Sequence, residues 1–146
     1  MCWYSDKLKI KIAKKDIPVW KIVHANKNIY GSYTNKSYSF YKYFEYTLGI
    51  KNTTQMSFTV VNTNNVFIGK EGFHSYSNKV KYTVNKTGNI SVYFKRLFLD
   101  YTIDYYYRNN NPIIAKCHIP KGSKYAINEF KEVISNEIVL DEYFEI

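Results

Sequence analysis

A single acid lies inside an apolar run near the end of the sequence. In SNEIVL, residues 135–140, Glu137 is followed directly by Ile, Val and Leu. Burying a carboxylate costs free energy, and proteins accept that cost where the charge stabilises positive charge developing in a reaction. Glu137 is therefore a candidate functional group. The alternative stays open that strand alternation places Glu137 with Val139 and Asp141 on an outward face.

The histidines and cysteines do not have the spacing of a metal site or a disulfide framework. The residues concerned are His24, His74, His118, Cys2 and Cys117. Zinc sites use short Cys and His spacings such as CxxC or HExxH, and neither occurs in the sequence. We therefore predict no metal and two free thiols. The phosphate-binding P-loop pattern and the GxSxG nucleophile pattern are also absent from the sequence.

Charge is distributed unevenly along the chain. The net charge is +9, but residues 125–146 hold six acids against one lysine, a net of −5, so the other residues carry +14. Such a basic body attracts phosphate groups, and sixteen Tyr offer rings for stacking on bases. The alternatives are solvated lysine faces and ordinary aromatic packing, as in the Tyr-rich segment 101–108.

Length and composition predict one folded domain over residues 1–146. The chain of 146 residues is 45% hydrophobic, which is enough apolar surface for one core. No apolar run is long enough to span a membrane, and the first ten residues lack the pattern of a signal peptide. These features predict a cytoplasmic protein without a membrane partner.

Most of the chain has the patterns of β-strands. Branched and aromatic residues predict a central strand at 18–24, a short strand within 41–49 ending at Gly49, and a hairpin over 56–76 divided at 62–65. Further along, the same signals predict a strand pair in 89–108, a strand at 112–120 ended by Pro120, and extended segments at 124–130 and 137–146.

Two segments receive other predictions. Ser77 can cap a helix, and Val80 and Val84 are four residues apart, so a short helix is predicted over 78–86. Residues 131–136 are predicted to form a loop. The predicted fold class is α+β: a β-rich single domain with small packed sheets around a cleft and one or two short helices.

Four segments of the chain resemble the ADP-ribosyltransferase superfamily. PVWKIV at 18–23 is similar to its first strand, GFHSYS at 72–77 to its middle strand, CHIPKGSKYAI at 117–127 to the strand before the catalytic one, and SNEIVL at 135–140 to the catalytic strand. The resemblance implies a fold of that type.

The resemblance also implies roles for particular residues. Lys21 stands where the superfamily has an arginine that holds the dinucleotide, Ser75 where it has a positioning serine, and Glu137 where it has the catalytic acid. His74 and Tyr76 complete the expected ligand-binding set. Ser75 and Glu137 would be catalytic only in an active transferase, which would use NAD as its cofactor and break the bond to nicotinamide.

Two departures from that pattern favour binding without turnover. Lysine in place of arginine keeps a positive charge but loses the two-pronged geometry. Ser135 stands two residues before Glu137, where the superfamily has an acid or Gln that orients the acceptor. Two alternatives stay open. Lys21 could extend from its strand into solvent, and His74 and Ser75 could only close a turn.

The chain also resembles small phage and prophage proteins that share an initial MC, a central GFHS and an IPKGS…SN end. That resemblance implies a role against host defence. The leading hypothesis is a phage-type protein that sequesters an anionic nucleotide, such as a host immune signal, in a basic and aromatic cleft, without a cofactor. The alternatives are an NAD-dependent mono-ADP-ribosyltransferase acting on a host target, and an inhibitor that binds a host protein. Nucleic-acid binding is left open and not favoured.

Overall fold

The computed structural model describes residues 3–39, 44–61, 66–77, 81–84, 89–96, 99–106 and 112–145. Within these ranges every regular element is a β-strand. The sixteen strands are β1 Tyr4–Ser5, β2 Lys11–Ile12, β3 Ile17–Lys27, β4 Tyr33–Tyr38, β5 Glu45–Thr47, β6 Lys51–Thr53, β7 Ser57–Val61, β8 Val66–Glu71, β9 Phe73–Tyr76, β10 Lys81–Val84, β11 Asn89–Arg96, β12 Leu99–Tyr106, β13 Pro112–Ile119, β14 Lys124–Ile127, β15 Glu132–Ser135 and β16 Glu137–Glu145. No helix in the described part of the chain is long and apolar enough to cross a membrane.

The strands form three antiparallel sheets. The largest has ten strands in the order β2-β14-β15-β9-β3-β13-β16-β6, with β4 joined to β3 and β5 joined to β4. Two smaller sheets have three strands each, in the orders β1-β8-β7 and β10-β11-β12. The large sheet holds every residue that the sequence singles out as a site residue.

The predicted α+β class is wrong, because the described part of the chain contains strands and no helix. Residues 81–84, inside the predicted helix, form β10, which pairs with β11 from Lys81 opposite Tyr93 to Val84 opposite Ile90. The rest of that predicted helix lies outside the described residues. A run of Lys, Tyr, Thr and Val favours an extended chain, and a short isolated helix has little stability of its own.

The predicted loop at 131–136 is also wrong. Residues 132–135 form β15, which pairs with β14 on one side and β9 on the other. All four of its residues are buried. A strand covered on both faces does not alternate between apolar and polar residues, so its pattern does not separate it from a loop.

Most of the other strand predictions are confirmed where the structure describes them, but β14 ends at Ile127 within the predicted segment 124–130, and β5 ends at Thr47 before Gly49. The segment 18–24 lies within β3, near the middle of the large sheet. β7 and β8 form the predicted hairpin, although its dividing residues 62–65 lie outside the described part, and β11 pairs with β12 as predicted. β13 ends at Ile119, directly before Pro120.

The main core lies on one face of the large sheet. Alternate residues of β3, β13 and β16 point into it, among them Val19, Cys117 and Leu140, each at most 1% exposed. A second, smaller core joins the other face of β15 to the β1-β8-β7 sheet through Trp3, Ala126 and Ile134. β15 is therefore held between two cores.

Candidate ligand site between β3 and β9

One of the two edges of β3 changes its partner strand along its length. β13 pairs with one edge from Ile17 to His24. On the other edge, β9 pairs only at Trp20, opposite Tyr76, and β4 takes over from His24. β9 and β4 thus separate beside residues 21–23, and the backbone groups exposed there need other partners. We call this place the strand opening.

The side chain of Lys21 occupies the strand opening. Lys21 alternates with Val19 and Val23, which are both fully buried, so it lies on the core side of β3. Its ammonium donates a hydrogen bond to the backbone carbonyl of His74 on β9. It also lies 5.7 Å from the centre of the Tyr46 ring. The lysine therefore bridges the two separating strands from within the core.

Lys21 is partly exposed as a residue, but its ammonium is largely shielded from solvent, which makes it an unusual cation. Loss of solvent lowers the pKa of its ammonium from 10.5 to about 8, although the neighbouring Cys117 acts in the opposite direction. Burial raises the pKa of Cys117 and of Tyr46, so both are neutral at pH 7. No carboxylate of the described residues contributes to the pKa of Lys21. Its positive charge is therefore uncompensated within the part of the protein that the structure describes.

A hydroxyl without a hydrogen-bond partner among the described residues lies beside Lys21. Ser75 is 2% exposed, and its Oγ has no hydrogen-bond partner among the described residues. In the antiparallel register, the residue after Trp20 comes level with the residue before Tyr76, so Lys21 and Ser75 point to the same face. An ammonium and a free hydroxyl on the same face form a site that favours an anion.

Two more hydroxyls lie on the core face near this site. Tyr143 on β16 is paired with Ala115 on β13, and Ala115 is paired with Lys21 on β3. The hydroxyls of Tyr143 and Ser37 are close enough for Ser37 to lower the pKa of Tyr143, against the larger effect of burial, yet neither atom attains hydrogen-bond geometry. The sequence offers no signal for either residue: Ser37 lies in a run of similar Tyr, Ser and Thr, and Tyr143 lies between Glu142 and Phe144 in an ordinary strand pattern.

The remaining ligand residues predicted on β9 contribute differently. Phe73 lies in the main core with Ser75, so the side chains of His74 and Tyr76 leave the strand on its other face. His74 takes part through its backbone carbonyl. Tyr76 is 8% exposed and lies opposite Trp20. The structure thus brings together Lys21, Ser75 and the backbone of His74.

Glu137 lies apart from this group. It starts β16 and alternates with the fully buried Ile138, so it belongs to the opposite face of the sheet from Lys21. Along the strands, about five residues separate the two positions, or roughly 16 Å at the usual rise. The described residues do not bring Glu137 to the strand opening.

The carboxylate of Glu137 has structural partners of its own. The Lys51 ammonium lies 2.9 Å from Oε2, and the Ser123 hydroxyl donates to Oε1 at 3.2 Å. Ser135, at the position that departs from the transferase pattern, donates to the Glu137 carbonyl at 3.0 Å. Glu137 therefore joins β6 and the turn before β14 to the start of β16.

Neither a relative nor a metal-binding group among the described residues indicates a function. No protein-family model, curated protein or solved structure matches the chain. Among the described residues, no three His, Cys, Asp or Glu side chains come together in a group that could hold a metal ion. The function proposed next therefore depends on the geometry of the strand opening.

Proposed function

We propose that the protein binds and sequesters an anionic nucleotide at the strand opening between β3 and β9. The observation that carries the proposal is the uncompensated ammonium of Lys21 beside the unpaired hydroxyl of Ser75. The lowered pKa of Lys21 corresponds to a cost of about 3 kcal/mol for keeping the charge buried. A bound anion would offset that cost, which is a physical reason for affinity.

The surroundings of Lys21 favour a nucleotide over a simple anion. Phe44, Tyr46 and Phe73 form an aromatic cluster with ring centres 4.9 to 6.0 Å apart, and the Tyr46 ring also faces the Lys21 ammonium. Phe44 is 38% exposed, so the cluster extends from the core to the surface. Rings next to a cation suit a ligand with both a base and a phosphate.

Sequestration is favoured over turnover because the expected catalytic acid is engaged elsewhere. Glu137 is paired with Lys51 and Ser123 and lies on the other face of the sheet. The charge around Lys21 is suited to holding a phosphate, and no carboxylate of the described residues acts on it. In a phage setting, a cytosolic protein of this kind would withhold an immune nucleotide signal from the host.

The proposal predicts that Lys21→Met abolishes ligand-induced stabilisation. Thermal unfolding of the wild type and the variant is measured with NAD, ADP-ribose, several cyclic oligonucleotides and inorganic phosphate. At about one hundred times its dissociation constant, a ligand stabilises the wild type by roughly 2.7 kcal/mol. The variant should lose this shift because the methionine side chain offers no charge to the phosphate.

Lys70→Met is the matched control, since Lys70 is exposed on β8. It should keep the full shift, and chromatography should recover the ligand intact. Only the shift caused by ligand is compared, so a change in the basal melting temperature of a variant does not matter. Equal shifts in wild type and Lys21→Met, or no shift with any nucleotide, would contradict the proposal.

An NAD-dependent mono-ADP-ribosyltransferase is the second candidate, and the placement of Lys21 and Ser75 on neighbouring strands favours it. In that case the wild type releases nicotinamide from NAD, Glu137→Gln does not, and Glu142→Gln retains the activity. Glu142 is a suitable control because it is an exposed acid on the same strand, 3.9 Å from Lys116. We expect no release from any of the three proteins, and release that depends on Glu137 would replace sequestration by catalysis.

A further inference from the structure

Exposed lysines gather at the end of the large sheet that is formed by β2 and β14. β2 is the last strand in the sheet order, and β14, β15 and β9 separate it from β3. We call the following six exposed residues the lysine edge: Lys9, Lys11, Lys14, Lys15, Lys121 and Lys124.

Backbone hydrogen bonds hold the two parts of the lysine edge side by side. Lys11 pairs with Tyr125, and Ile12 pairs with Lys124. The next residue, Ala13, donates to the Ser123 carbonyl and accepts from the Gly122 amide, each at 2.8 Å. Segments more than a hundred residues apart in the sequence therefore lie next to each other at this end of the sheet.

The charges of the lysine edge are not neutralised by the described residues. Some exposed lysines elsewhere have acidic partners: Lys36 lies 3.2 Å from Glu45, and Lys51 lies 2.9 Å from Glu137. No ion pair within the described residues includes a lysine of the edge. The neighbouring Asp16 accepts the backbone amide of Lys121 at 2.9 Å and places one negative charge beside the six lysines. A surface with this charge attracts a polyanion.

We propose that the lysine edge binds the phosphate backbone of a nucleic-acid duplex without reading its sequence. A duplex carries one charge per roughly 1.7 Å of its axis, twice the density of one strand. The aromatic residue of these two strands, Tyr125, packs against the main core, so base stacking does not favour a single strand. This surface is separate from the strand opening and does not depend on the nucleotide proposal.

The test is the salt dependence of binding to a fluorescent DNA duplex, measured by anisotropy. Each neutralised phosphate contributes about 0.9 to the slope of log affinity against log salt, so six lysines give a slope of about −5. Between about 50 and 200 mM salt, the affinity should fall roughly a thousandfold. The double variant Lys14→Gln/Lys15→Gln should make the slope shallower by about 2.

The control has the same net charge as that double variant. Lys27→Gln/Lys70→Gln replaces two exposed lysines away from the edge and should leave the slope unchanged. Lys21→Met should also bind duplex normally, which separates this test from that of the nucleotide site. A wild-type slope shallower than about −2, or equal losses in both double variants, would overturn the proposal. Tighter binding to a single strand would overturn the duplex assignment, and equal competition by an acidic polypeptide of matched charge would overturn the nucleic-acid assignment.

Discussion

Gly72→Ala is expected to lower the free energy of unfolding by about 3 kcal/mol. Gly72 has a φ of +138°, a conformation that residues with a side chain rarely adopt. A Cβ atom there would lie 2.6 Å from Cγ1 of Ile134 and 3.3 Å from the carbonyl oxygen of Ser135. Both neighbours belong to the fully enclosed β15, so they have little room to move. Urea unfolding followed by fluorescence measures the loss.

Gly49→Ala separates backbone strain from the steric clash. Gly49 also has a positive φ, of +75°, but a Cβ atom there would meet nothing within 4 Å. We expect it to cost only about 1 kcal/mol. Combining Gly72→Ala with Ile134→Ala should cost less than the sum of the two single changes, because the smaller side chain makes room. Equal losses for Gly72→Ala and Gly49→Ala would mean that the contact with β15 has no energetic effect.

The same glycine matters for the candidate ligand site. It directly precedes β9, whose residues supply the unpaired Ser75 hydroxyl and the carbonyl that binds Lys21. Pushing the start of β9 away from Ile134 would therefore displace both groups from the strand opening. The packing of β15 between two cores thus fixes the position of the binding groups.

The stability of the wild type relative to Lys21→Met is expected to rise by about 1 kcal/mol between pH 8 and pH 9. The pKa of Lys21 is 10.5 when unfolded and about 8 when folded. Between these values the unfolded chain binds the proton and the folded protein does not, so stability increases with pH. Below about pH 8 both states are charged, and the full cost of burying the ammonium is present. Chemical unfolding at several pH values measures the difference.

Taking the difference between two proteins removes competing titrations. Burial raises the pKa of Cys117 and Tyr46, and these groups lower stability at high pH in both proteins. Lys70→Met is again the control for the loss of one exposed lysine. A constant difference for Lys21→Met would show that the ammonium is solvated, which would remove the main argument for an anion at the strand opening.

Strands defined by local patterns are those that the sequence predicts correctly. β3 and β13 are rich in branched residues, and the β7–β8 hairpin has a polar segment between two apolar runs, so each signal lies within a few residues. The predictions for 81–84 and 132–135 are wrong because the local patterns there are compatible with more than one structure. β10 is a strand because it pairs with the next strand, β11, and β15 because it pairs with β9, which is remote in the sequence.

The candidate site likewise combines features that were expected from the sequence with features that only the fold shows. Lys21 and Ser75 are expected at the site only because of the resemblance described for the sequence, and the fold places them on neighbouring strands. Three other features of the site depend on strand order. They are the partners of Glu137, the separation of β9 from β4, and the clustering of Tyr46 and Cys117 around the Lys21 ammonium. The sequence by itself determined a basic, aromatic and β-rich chain, because those properties are set by residue types and short-range spacing, but it wrongly predicted helices. Only the tertiary structure decided which charges are buried, paired or exposed, because strand pairing brings together residues that are far apart in the chain.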